Sequence, residues 1–142
     1  MTIPFVSFPD VVALLIGYLK AQFVLRSVTS SVLSETPNPI HDSMVIISRT
    51  GGQRLNLVSD NPLITFESWD NSQDGTAKEK AHDLSQLVRG LIFQLTGNTV
   101  DMVPFYRIED FTGPQFQPDP DHLATARYVA TMSVAVRGLP ET

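Results

Sequence analysis

Metal or acid–base chemistry in this chain would have to start from its histidines and from one acidic loop. Asp119, Asp121 and His122 crowd together in PDPDH, and carboxylate oxygens beside an imidazole are donors that a divalent cation takes. The prolines already account for that loop, and a solvated Asp-rich turn is the plainer reading. His41 and His82 stand at no metal-ligand spacing from it or from each other, and each reads as a surface residue. Arg49 to Arg54 (RTGGQR) has the composition of a phosphate cradle, because glycines let backbone N–H groups approach an anion and two arginines flank them. It lacks the Gly-Lys-Ser/Thr of a P-loop and opens no helix, so a tight turn at Thr50-Gly51-Gly52 is expected instead. Glu109 and Asp110 are neighbours on an expected strand and point to opposite faces, which denies them an acid/base partnership within it. No serine lies in a nucleophile-elbow context. The residues therefore suggest no enzyme, and neither metal nor cofactor is expected. Trp69, Phe111 and Phe116 fall outside the periodic core positions. Such aromatics often form a lid on a core, and they are also enriched at protein interfaces.

The elements that must position these residues are set out around Pro62 to Gly97. Leu63 to Trp69 (LITFESW) alternates Ile64 and Phe66 with Thr65 and Glu67, the pattern of a half-buried strand. Asp70 to Gly75 is a run of turn-formers. Thr76 and Glu79 have the form of a capping box, so a helix should begin at Ala77. Ala81, Leu84, Leu87, Val88, Leu91, Ile92 and Leu95 then recur at spacings of three and four in one stripe, and Gly97 can close the helix in the left-handed conformation.

Upstream, Asp10 should cap a helix running to about Phe23 or Leu25 whose apolar surface is wide: Val12, Leu15, Ile16, Leu19 and Phe23, flanked by Val11, Leu14 and Tyr18. That width fits a deeply buried helix or one covered by a neighbouring subunit. Ser27 to Asp42 cannot be helical through its two prolines. Met44 to Arg49 is apolar on both faces and should be a well-covered strand, while Asp60-Asn61-Pro62 should turn the chain into the central strand. Downstream, Val103 to Phe111 reads as a strand, Thr112 to Thr125 as a proline-rich excursion, and Ala126 to Arg137 as the longest strand. Joined in order, these give a single α+β domain over residues 1–142: a mostly antiparallel sheet of about four strands with two helices packed on one face.

Bulk composition narrows the partners. With 142 residues the chain can bury a core unaided, and with no cysteine it has neither disulfides nor thiolate ligands. The net charge of −5, with ten Lys and Arg spread along the chain, argues against a protein that grips nucleic acid. Val11 to Leu19 is far shorter than the roughly 20 residues of a bilayer span, and nothing around it resembles a secretory signal, so a cytoplasmic protein with no membrane contact is expected.

Several stretches, in this order and spacing, resemble the tail terminator proteins of long, non-contractile-tailed phages, particularly those infecting actinobacteria, and more distantly the lambda-type terminator. They are the opening FPDVVALLIGYL, Arg49-Thr-Gly-Gly with Arg54, the LVSDNP turn before a strand ending at Trp69, the Ala-rich start of the second helix, VPFYRIED, the GP…PDPD loop and the closing RYVATMSVAVRG. The polar stretch Ser27 to Asp42 has no counterpart. The resemblance implies a virion structural protein at the neck of the tail: a homohexameric ring that caps the tube, meets the major tail tube protein on one side and the head connector or stopper on the other, and lets DNA pass without specific binding. A globule of this length has a radius of gyration of about 14.5 Å, and six such bodies in a ring leave room for duplex DNA of roughly 20 Å. Under this resemblance Arg49, Gly51, Gly52, Arg54, Trp69, Phe111 and Phe116 are the candidate assembly contacts. A head-side neck or tail-completion protein is the near alternative, and a small-ligand-binding domain or enzyme of the same architecture the distant one.

Overall fold

A computed structural model describes residues 2–140. In chain order the elements are β1 (Val6–Ser7), α1 (Val11–Leu25), β2 (Ser31–Leu33), β3 (Ser43–Arg54), β4 (Ser59–Asp70), α2 (Ala77–Phe93), β5 (Asn98–Val100), β6 (Val103–Phe116), β7 (Ala126–Arg137) and β8 (Leu139–Pro140). The main sheet has six strands in the order β2-β3-β4-β7-β6-β5, and β1 pairs with β8 in a separate two-stranded sheet. All pairings are antiparallel except β2 with β3. The α+β class and the mostly antiparallel sheet are as expected. The count of about four strands is too low, because β2 and β5 are three-residue edge strands too short to show a period of two.

Both helices cover one face. Val11, Leu15, Leu19 and Phe23 of α1 and Leu84, Val88, Leu91 and Ile92 of α2 share one buried cluster with Val45, Ile47, Ile64, Phe66, Met132 and Val134. Asp10 caps α1 by accepting a hydrogen bond from the Ala13 N–H at 3.1 Å. The helices also touch each other, through the Tyr18 hydroxyl donating to the Leu91 carbonyl at 2.7 Å. Burial raises the Tyr18 pKa above its ordinary value, which keeps that donor protonated. The capping box at α2 does not form. Thr76 makes no side-chain cap bond; its N–H and hydroxyl both go to Asp74, which offers a nearer acceptor than the helix end. No helix among the described residues is long and apolar enough to cross a membrane.

Three boundaries differ from expectation for one reason, that pairing partners override turn propensity. Gly51 and Gly52 do not turn the chain: β3 runs on to Arg54 with a bulge between Arg49 and Gly51. Asp60, Asn61 and Pro62 lie inside β4 opposite Arg54, Gln53 and Gly52, and the turn sits at residues 55–58. Pro62, with no N–H to donate, falls where the β4–β7 ladder is interrupted between Asp60 and Leu63. Likewise β6 continues past Phe111 to Phe116, absorbing Gly113 and Pro114 through register shifts along its ladder with β7.

Gly52 is required by that geometry. Its φ is +98°, and a Cβ built there would lie 2.3 Å from the Asn61 carbonyl oxygen and 2.6 Å from the Pro62 Cα. At Gly51 the nearest such contact is 4.0 Å, to a flexible Leu63 methyl. Gly52→Ala is therefore expected to lose about 1–3 kcal/mol of stability, and Gly51→Ala less, as read from urea unfolding midpoints. Equal losses at the two positions would refute the backbone clash.

Candidate assembly surface

The face of the sheet opposite the two helices is open. Residues directly paired across the strands share a face, and on this one Thr50, Thr65 and Thr131 form a hydroxyl row, with 2.9 Å between the Oγ1 atoms of the first two and 2.9 Å between the next two. Thr112 of β6 pairs with Thr131 and extends the row to a fourth strand. Such cross-strand hydroxyl contacts fix register on a face that has no apolar layer above it.

Toward one end of this face a groove opens between the β3–β4 hairpin and β6. Gly52, Gln53, Arg54 and Leu55 line one wall, Leu63 and Ser133 the floor, and Phe111 the other wall. The fold thus gathers three predicted contacts, Gly52, Arg54 and Phe111, from segments nearly sixty residues apart, with Gly51 next to them. Phe111 is 68% exposed, and Leu55 and Leu57 at the hairpin turn are exposed as well. No motif or periodic spacing in the sequence marks these two leucines as a surface.

Arg54 and the remaining predicted residues also have partners within the subunit. Arg49 holds Asp60 through two hydrogen bonds, 2.8 and 3.3 Å, and also donates to the Gly51 carbonyl. The Asp60 side chain is only 6% exposed, so this pair staples the hairpin from within. Arg54 lies over the Phe8 ring, 4.8 Å from its centroid, and so ties the hairpin to the terminal strands. With both arginines engaged and the glycine backbone paired into a strand, no phosphate cradle forms in RTGGQR. Trp69 is buried at 1% exposure, packed with Met44, Ile46, Leu33 and Ile40 in a second small core on the helix-free side. Its indole N–H donates to Glu67 at 3.2 Å, Arg127 pairs with the same carboxylate oxygen at 3.2 Å, and His122 packs edge-on. Phe116 lies apart from Phe111, between Lys78, 4.4 Å from its ring centroid, and Tyr128.

The candidate chemistry is equally engaged. His122 bonds Asp119 at 3.1 Å; that bond, with the Asp121 N–H, holds the Asp119 carboxyl below the usual range. Asp121 and His122 do not converge with it into a metal site: among the described residues no three His, Cys, Asp or Glu groups come together. His41 bonds Ser31 and His82 adjoins Asp83. Glu109 and Asp110 pair with residues on opposite faces, Ser133 and Met132, as the alternation predicts. Comparison with protein-family models gives no match, and no curated protein matches the chain.

Asp110 joins the candidate wall to α2. Arg89 donates to it at 3.0 and 2.6 Å, and those hydrogen bonds lower its pKa below the ordinary 3.8. A lowered folded pKa means that the pair's contribution is complete above the unfolded value and is lost as pH falls through the folded one. The two side chains are 35% and 41% exposed, so screening limits the contribution to about 1 kcal/mol at most. Asp110→Asn should accordingly lower stability slightly at pH 7 and converge with the unsubstituted protein once the pH has fallen through the lowered Asp110 pKa, as followed by thermal melts across an acid series. A difference that persists unchanged in acid would assign the loss to another cause.

Proposed function

We propose that this chain is a tail terminator of a long, non-contractile-tailed phage, a ring-forming structural protein that caps the head-proximal end of the tail tube and presents the joint to the head connector. The resemblance of its ordered sequence stretches motivates the reading. The observation that supports it most is the hairpin turn, which exposes Leu55 and Leu57 beside Arg54 and faces the exposed Phe111 across an open groove. Apolar side chains held out on a stapled hairpin suit contact with another protein. The ion pairs and polar networks nearby are closed on themselves and stiffen the surface on which those side chains stand.

In this reading the subunits form a homohexamer, one rim meets the major tail tube protein and the other the connector or stopper, and DNA passes through the centre without specific contacts. The acidic net charge of −5 favours such passage by leaving the phosphates unbound. The protein then belongs to the virion, in the neck region of the tail.

Light scattering on a sizing column, with electron microscopy of the peak and tube protein added, tests this directly: six-subunit rings seated on tube ends are expected. Leu55→Glu and Leu57→Glu should keep the wild-type circular dichroism and thermal midpoint within about 2 °C, since both residues are exposed, while tubes grown in their presence should run past normal length. Normal tail length and head joining with both variants would overturn the assignment of this surface. A protein that neither forms rings nor caps tubes would overturn the terminator reading.

A further inference from the structure

Two features at diagonally opposite corners of the main sheet fit one another. At the first corner, between the C-terminal end of α1 and β2, an open groove of about 430 Å³ is lined by Phe23, Val24, Val28, Val32 and Leu33, with Lys20 and two serines among the lining residues. Val24 is 79% exposed there while Phe23 and Val32 are buried, so the subunit leaves part of this apolar lining uncovered. At the far corner the β5–β6 turn projects Met102, 91% exposed, beside Asp101. Both turn residues are left-handed, with φ of +48° for Asp101 and +68° for Met102. That conformation ordinarily calls for Asn-Gly. A methionine held there contributes almost no packing to its own subunit, yet its unbranched thioether chain fills irregular apolar gaps well.

We infer that the Asp101–Met102 turn of one subunit docks into the α1–β2 groove of a second copy of this chain. Met102 supplies the apolar knob and Asp101 the charge opposite Lys20. Neither Asp101 nor Lys20 forms an ion pair with the described residues. The two corners cannot meet within one subunit: β2 pairs with the start of β3 at one edge of the sheet, whereas the turn leads into the part of β6 that pairs with the end of β7 near the other. In the arrangement inferred, the contact is heterologous, each subunit giving its turn to one neighbour and its groove to the other, and such a contact makes a ring where its rotation closes. The contact stands on these corners alone, while the size of the ring rests on the terminator reading.

The chain contains no cysteine, so introduced thiols report without background. A variant carrying both Val24→Cys and Met102→Cys, oxidised at assembly concentration with and without tail tube protein, should give a ladder of covalent multimers on a denaturing gel. Either single variant should remain monomeric. In parallel, Lys20→Asp and Asp101→Lys should each weaken association by about fivefold or more, and their combination should restore it. Absence of a ladder, covalent dimers from the single variants, dimers alone from the double variant, or failure of the combined charge reversal to restore association would overturn the contact. Six-subunit rings without the ladder would reject this contact and leave the terminator reading standing; a ladder without rings or tube capping would do the reverse.

Discussion

Ile64 and Phe66 project from the central strand into the space beneath both helices, and each is fully buried. The elements next to β4 are positioned against it. β3 and β7 flank β4 through its length, α2 lies across β4, β7 and β6, and α1 completes the cover over β3 and β2. Deleting such side chains from a closed core commonly removes about 3–5 kcal/mol. The arrangement also leaves the opposite face of the same strands without a covering layer. That face is stable in water because its middle is threonine and because Trp69, Met44 and Ile46 bury one another beside the Glu67–Arg127 pair.

The helices were legible in the sequence because each signal is local. Asp10 and the four-residue spacing of Leu15, Leu19 and Phe23 mark α1 without reference to any other segment, and the three–four stripe from Ala81 does the same for α2. What was not legible depends on partners distant in the chain. Gly51 and Gly52 are turn residues by composition, and only the approach of Asn61 and Pro62 makes them strand residues. β2 is three residues in a polar stretch and exists because Met44 to Ile46 offers it a parallel edge.

The candidate surface was partly legible for the same reason. Residue type picked out Gly52, Arg54 and Phe111, but that they share one groove follows from the fold of the whole sheet. Arg49 and Trp69 were picked out by type too, and their types equally suit internal work: a guanidinium that satisfies a nearly buried carboxylate, and an indole that closes a small core. Only burial tells those uses apart, and burial is not written in spacing.

Beyond Ile46 the outer edge of β3 has no described partner, and beyond Phe105 neither has the outer edge of β6. Between these edges stand β3, β4, β7 and β6, four strands that alternate in direction. Because that count is even, the two edges run oppositely. Copies placed side by side without inversion would confront each other with antiparallel backbones, whose hydrogen bonds run straight across rather than aslant. The compatibility is a parity property of the sheet, indifferent to which side chains line either border, and no point substitution can reverse it.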